Sequence, residues 1–412
     1  MSSFVSRTVT GRQSNSISTP ETPAAGWLAT HSLLIVLVGL SLFGLVMIAS
    51  ASMPYAAETY GSPFYIVGRQ LIFLVLGLLV GYGVYQVPIS VWERAALPLI
   101  LVSLFFLGLV LVPGIGKLVN GSRRWLDFGV FTVQVSEAVK LLIIVYLAGY
   151  LVRRGELVRE SIDGFIRPLA LIGFASVLLL LEPDFGAAFV IVTTSLGMLF
   201  IAGARLSQFV AMAGTLTVLG TAIIAFSPYR MRRLASFLDP FSDPFDTGFQ
   251  LTQSLIAIGS GGFSGLGLGG SVQKLFYLPE AHTDFLFAVL CEELGFLGVV
   301  AVIAAYGFIV WRSFRLARIA DELGFRFAGY LALGIGIWIG LQAFVNMGVN
   351  MGILPTKGIT LPMMSYGGSS AIVFAVSFAI LLRIESELRW QQRAELSTKK
   401  PLSRAHHKVP AA

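Results

Sequence analysis

The segment Phe276-Tyr-Leu-Pro-Glu-Ala-His-Thr-Asp-Phe285 sets polar and ionisable residues directly against the apolar run from Phe285 to Trp311. Asp284 therefore stands where hydrocarbon meets water, a place suited to proton transfer on a substrate carried by a lipid. The same position also suits a helix cap, in which the carboxylate satisfies free amides. Arg123 and Arg124 precede another apolar run. Guanidinium groups present several donors in a fixed fork that matches phosphate oxygens. With Lys274, Arg230, Arg232 and Arg233 they gather positive charge for an anionic headgroup, or else pair with Asp239, Asp243, Asp246 or lipid phosphates. Glu137 and Lys140, three residues apart, share one helical face. A charge in hydrocarbon costs about 2.5–3.5 kcal/mol on insertion scales unless it is paired or faces water. An ion pair pointing into a bundle is the simplest account, either fixing helix packing or lining a substrate cavity. Glu292 and Glu293, about two turns beyond Asp284, either share that cavity or pair with an arginine of another helix.

Other chemistries find no foothold. Cys291 is the only cysteine, so an intrachain disulfide and thiolate metal sites are excluded. His31, His282, His406 and His407 have no spaced partner resembling a zinc site. A divalent ion would have to be held by carboxylates and phosphate oxygens. Gly265-Leu-Gly-Leu-Gly-Gly270 loosely matches a dinucleotide fingerprint but lacks the preceding strand. Ser271-Val-Gln-Lys274 fits an S-x-x-K motif without its companion elements. A Walker A lysine is missing as well.

The elements that must hold these residues are membrane helices. Of 412 residues, 56% are hydrophobic and 12% charged, the balance of a polytopic membrane protein. The net charge of +7 is scattered among loops, which argues against nucleic acid as a partner. Apolar runs predict about ten spans, at 31–52, 70–87, 95–112, 134–152, 167–182, 185–203, 207–227, 285–311, 327–351 and 363–384. The expected fold is all-α. An even number of spans puts both termini on one side, and about twice as many Lys and Arg fall there as opposite, so both termini are expected in the cytoplasm.

Residues 1–30, rich in Ser, Thr, Pro and Ala, cannot bury a core and are expected to form a disordered tail. The first apolar run reads as a retained anchor. The charged segment 385–412 reads as a second cytoplasmic tail, suited to solvent, docking or anionic lipid. The outer loop 228–284 is too long for a connector. Within it, Phe249 to Ile258 has the periodicity of an amphipathic helix lying at the membrane interface, and the glycine-rich 259–270 follows as a flexible stretch.

Several spaced motifs coincide: Gly121-Ser-Arg-Arg-Trp125, Ser136-Glu137 with Lys140, Glu182-Pro-Asp-Phe-Gly186, Gln250-Leu-Thr-Gln-Ser254, Leu278-Pro-Glu-Ala-His-Thr-Asp-Phe285, Glu292-Glu-Leu-Gly295 and Ser365-Tyr-Gly-Gly-Ser-Ser370. Over roughly residues 30–385 the chain thereby resembles the SEDS family of bacterial peptidoglycan glycosyltransferases. Leu354-Pro-Thr-Lys-Gly-Ile-Thr-Leu-Pro362 and Lys274-Leu-Phe-Tyr-Leu-Pro279 resemble its cell-division branch more than its elongation branch. Cys291 departs from the small residue usual in relatives and leaves the motif intact.

The resemblance implies polymerisation of lipid II through β-1,4 linkages, with release of undecaprenyl pyrophosphate. It implies Asp284 as the catalytic base; Arg123, Arg124 and Lys274 are the candidates for holding the pyrophosphate, and Glu137, Lys140 and His282 are the further candidate substrate-binding residues. A magnesium or manganese ion beside the pyrophosphate is the one cofactor it allows. The implied partners are a class B penicillin-binding transpeptidase, divisome proteins and membrane lipids, at the septum of the inner membrane. A lipid II flippase and a scaffold for division proteins are the alternatives from other classes. A flippase is expected to show an inverted repeat, and no convincing repeat is found.

Overall fold

The computed structural model describes residues 23–398 apart from 120–121, 128, 130–131, 227 and 243–247. The expected tails at 1–22 and 399–412, together with Gly121, Asp243 and Asp246, lie outside the described residues. So do the side chains of Arg230 and Arg233. The chain opens with α1 (Pro23–Tyr60), α2 (Tyr65–Gln86) and α3 (Ile89–Val110), followed by β1 (Gly116–Val119), β2 (Ser122–Asp127) and β3 (Thr132–Gln134). Next come α4 (Val135–Glu160), α5 (Ile162–Leu181), α6 (Phe185–Ile201), α7 (Leu206–Ala225), α8 (Pro228–Leu238) and α9 (Phe249–Gly261). The last three helices are α10 (Leu286–Glu322), α11 (Arg326–Asn350) and α12 (Gly368–Thr398).

Each of the ten apolar runs overlaps a helix. Among the described residues seven helices are long and apolar enough to cross a membrane: α1 from His31, α2, α3, α4, α5, α10 and α11. Helices α6 and α7 are shorter apolar helices, and α12 begins five residues later than its run at 363. Helix α1 starts at Pro23, inside the segment 1–30 expected to be a disordered tail. Helices α4 and α11 form the centre, their apolar windows 83% and 72% buried against 28% for α2, α3 and α10. A helix apolar on all sides belongs in the interior, so whatever polar groups α4 and α11 carry are held inside the bundle.

The fold is mainly helical, with one addition. Between α3 and α4 lies an antiparallel sheet of order β1-β2-β3, pairing Trp125 with both Lys117 and Gln134. Its strands are too short and too polar to show a period-two pattern.

Helix α9 matches the amphipathic segment 249–258, with Ile256 on its exposed side and part of its surface packed against the bundle. Leu251, Ala257 and Gly261 are buried, and the helix packs on α10 and α11. A Cβ on Gly261 would come within 1.9 Å of the Cys291 carbonyl oxygen, so only glycine permits that approach.

The glycine-rich stretch after α9 repairs a broken helix. At Gly295, φ is 60° and ψ is −159°, which interrupts α10. The carbonyls of Glu292 and Glu293 accept from the amides of Leu266 and Gly267, each at 3.0 Å. The amides of Phe296 and Leu297 donate to Gly262 and Phe263 at 3.0 and 3.3 Å. Backbone groups freed by the break are thus satisfied by loop 262–267, as a low-dielectric setting requires.

Candidate active site

A cavity of about 520 Å³ opens between the sheet, the α5–α6 junction, the segment leading into α10 and the loop before α12. Asp284, Arg124, Glu137 and Lys140 all line it. The sequence sets Asp284 more than a hundred positions after the other three, and the fold brings them together.

Asp284 does not cap α10. The capping position is Phe285, with no side-chain hydrogen bond, and among the described residues the Asp284 carboxylate accepts none. Its backbone, by contrast, is clamped. The main-chain carbonyl of Asp284 accepts from Asn346 Nδ2 at 2.8 Å and from Asn350 Nδ2 at 3.0 Å. Asn350 Oδ1 accepts the Ala288 amide at 3.1 Å, so one asparagine reads both sides of the helix start. Gly358 passes so close that a Cβ there would lie 3.0 Å from Asp284 Oδ2. Burial, reinforced by the nearby Glu280 charge and opposed by Arg124, pushes the Asp284 carboxyl up to about 7.

Strand alternation separates the two arginines. Ser122 and Arg124 line the cavity together with the bulky Trp125, whereas Arg123 does not. Arg124 donates from Nε to the Glu182 carbonyl at 3.0 Å and from its NH2 nitrogen to Pro183 at 2.7 Å, which locks the guanidinium onto the α5–α6 junction. Asp184 caps α6 through the Ala187 amide at 3.1 Å and accepts the Ser136 hydroxyl at 3.0 Å. Glu182 is fully buried, and neither carboxylate oxygen has a partner among the described residues. Burial and the adjacent Asp184 push it up to about 8, against the pull of Arg124, so it is held mainly as the neutral acid.

At the deep end Lys140 Nζ lies 2.9 Å from Glu137 Oε1 and 3.1 Å from Gln342 Oε1. Trp338 donates to the same Gln342 oxygen at 2.9 Å, and the ammonium stands 5.5 Å from the Trp338 ring. The predicted ion pair therefore exists and lines the cavity. Glu137 Oε2 has no partner among the described residues.

Besides Arg123, two expected residues lie elsewhere. Lys274 does not line the cavity. Its ammonium is 2.7 Å from Glu293 and 2.9 Å from Ser50 Oγ, in a buried clasp that ties the segment 271–274 to α1 and α10. Glu292 holds the same turn, accepting from Ser271 Oγ at 2.5 Å and from the Val272 amide at 3.1 Å. The two glutamates thus anchor residues 271–274, and among the described residues they neither line the cavity nor meet an arginine of another helix. His282 stacks on Tyr55, with ring centroids 5.4 Å apart, and burial lowers its proton affinity.

Three contributors escaped the sequence reading: Arg69, Gly358 and the start of α12. Gly368, Ser369 and Ser370 line the cavity at the first turn of that helix, after Gly367, whose amide donates to Gln70 Oε1 at 3.2 Å. Free amides and the helix dipole make such a turn attractive to phosphate. Ser-Tyr-Gly-Gly-Ser-Ser ahead of an apolar run carried a signal for this, since small residues permit close approach of a ligand to backbone.

Both fold and sequence can now be placed. A family model described as "Cell cycle protein", covering FtsW, RodA and SpoVE, matches residues 30–390. The chain belongs to this family of polytopic membrane proteins. It is 54% identical over 353 residues to a probable peptidoglycan glycosyltransferase FtsW of Thioalkalivibrio sulfidiphilus, covering 86% of this chain and 88% of that one. A protein of the same description from Halorhodospira halophila is 52% identical over 360 residues, covering 87% and 91%. Among solved structures, a chain from a peptidoglycan synthase complex that polymerises and crosslinks superposes with TM-score 0.72 at 29% identity, covering 87% of this chain and 97% of that one. Rod shape determining protein RodA of Thermus thermophilus superposes with TM-score 0.64 at 28% identity, covering 88% and 98%.

Proposed function

We propose that the chain is a peptidoglycan glycosyltransferase that polymerises lipid II into septal glycan strands during cell division. The observation that carries this is the shared cavity: the unbonded Asp284 carboxyl opens into the same space as Arg124 and the first turn of α12. The 4-hydroxyl of the acceptor GlcNAc attacks the anomeric carbon of the α-linked MurNAc. Its proton passes to Asp284, the new C1–O4 bond forms with inversion, and the bond from C1 to the diphosphate breaks with its electron pair leaving on the phosphate. An acid near 7 is suited to the base role, because it is part ionised at neutral pH yet basic enough to accept a proton. Arg124, Arg69 and the α12 amides are disposed to hold charge that grows on the leaving diphosphate.

Among the described residues no group of three His, Cys, Asp or Glu side chains is placed to hold a metal ion. No step here runs through magnesium or manganese. In this reading the cavity faces the outer side of the inner membrane, both termini are cytoplasmic, and the protein works at the septum. Its partners are a class B penicillin-binding transpeptidase and other divisome proteins. The relative within a complex that polymerises and crosslinks supports the transpeptidase. The test is polymerisation of purified lipid II in proteoliposomes with that transpeptidase, comparing wild type with Asp284→Asn. Transfer of lipid II between leaflets without any polymer would replace this reading with transport.

A further inference from the structure

Beside the cavity mouth, four aromatic side chains of the α1–α2 corner and the segment before Asp284 form a continuous surface that the chemistry above does not use. Tyr60 and Tyr65 stack with centroids 4.2 Å apart and planes 22° from parallel. Tyr55 meets Tyr60 edge-on at 6.4 Å and stacks on His282 at 5.4 Å. His282 in turn lies 5.7 Å from Tyr366, which is part of the cavity wall. At the other end the Arg69 guanidinium, also in the wall, stands 5.9 Å from the Tyr65 ring centroid.

The rings thus run from the cavity to open surface, and there Tyr55, Tyr60 and Tyr65 keep 38%, 47% and 41% of their surface exposed. Tyrosines at a membrane boundary are ordinary as isolated anchors in an aromatic belt. A belt does not require ring-on-ring stacking, nor continuity with a cavity that holds a carboxyl and two arginines. A pyranose has what this surface matches: an apolar C–H face for the ring plane, and equatorial hydroxyls for phenol, imidazole and guanidinium edges.

We infer that Tyr55, Tyr60, Tyr65 and His282 form a subsite for the growing glycan strand, on which sugar rings rest as they leave the cavity. The inference rests on the glycosyltransferase reading and adds a function to that site: retention of the polymer between successive additions. Loss of the subsite shortens strands without slowing each addition, because the rings do not touch the reacting atoms.

The test uses the full chain with its transpeptidase in proteoliposomes, given labelled lipid II, with strand lengths and total lipid II consumption measured together. The double variant Tyr60→Leu, Tyr65→Leu keeps apolar bulk and removes both π faces. It is expected to shorten the mean strand about fivefold to tenfold, the loss of one to two stacking contacts, with consumption near wild type. Tyr60→Phe with Tyr65→Phe is expected to keep strands long. A wild-type length distribution in the leucine variant overturns the subsite while leaving the glycosyltransferase reading intact. Absence of polymer from the wild type with its partner overturns both. As an independent measurement, a photo-crosslinking side chain replacing Tyr65 is expected to capture labelled polymer during synthesis. Capture of phospholipid alone returns these rings to the aromatic belt.

Discussion

Asn346 holds the main chain of Asp284, not its carboxyl: the Asn346 amide donates to the Asp284 carbonyl at 2.8 Å and to the Ile359 carbonyl at 2.6 Å. One side chain of α11 therefore ties the segment bearing the candidate base to the loop that passes over it. Asn346 is a positioning residue in this scheme. Asn346→Ala is expected to lower the turnover rate about tenfold to a hundredfold, because small misplacements of a base are costly. The KM for lipid II and the pH midpoint of the rate should change little. A purely structural role would appear instead as reduced yield of folded protein with normal turnover per folded molecule.

Asp284 predicts a pH dependence with a definite sign. Its carboxyl is raised from 3.8 to about 7, so the rate should climb as pH rises toward 7 and level off above it. Stability runs the other way. The folded state favours the protonated acid, so this group's contribution is fully present below pH about 4 and is lost as pH rises through about 7. Asp284→Asn is expected to abolish polymerisation and to melt higher than wild type at pH 8, with the difference vanishing near pH 4. Equal melting temperatures at both pH values would show that the carboxyl titrates normally.

The Glu137–Lys140 pair is buried, with side-chain exposures of 9% and 4%. Removing either partner strands a charge and is expected to cost about 3 kcal/mol. Glu137→Ala with Lys140→Ala should cost less than the sum of the single changes, and thermal denaturation of all four proteins measures the coupling. Simple additivity would mean that the two do not interact.

Lys274 separates a structural from a substrate-binding role. Lys274→Met leaves Glu293 buried without its counter-ion, so the variant should melt lower, and adding Glu293→Gln should restore part of the loss. The KM for lipid II should remain within about twofold of wild type, since the ammonium does not line the cavity. A large rise in KM at unchanged stability would put Lys274 back on the phosphate.

What could be seen in the sequence was local. An aspartate abutting an apolar run, and a glutamate and lysine three apart inside one, announce themselves because a charge near hydrocarbon needs a reason. The helices were legible from apolar length for the same cause. Choosing Arg124 over Arg123 was not, because it depends on a strand pleat in a segment too short to carry a pattern. The Lys274–Glu293 pair was not legible either, because Glu293 belongs to α10 beyond a turn that only the folded chain closes. Arg69, Gly358 and the α12 amides reach the cavity through tertiary packing alone, and amides carry no residue-type signal at all.

The break at Gly295 bears on how the protein is built. Four backbone groups flanking it are satisfied only by loop 262–267, which precedes α10 in the chain and is not part of any span. The interrupted form of α10 is therefore unavailable to a newly inserted segment on its own, since lipid cannot supply the missing hydrogen bonds. The final shape of α10 is therefore a joint property of the helix and of the loop that lies against it.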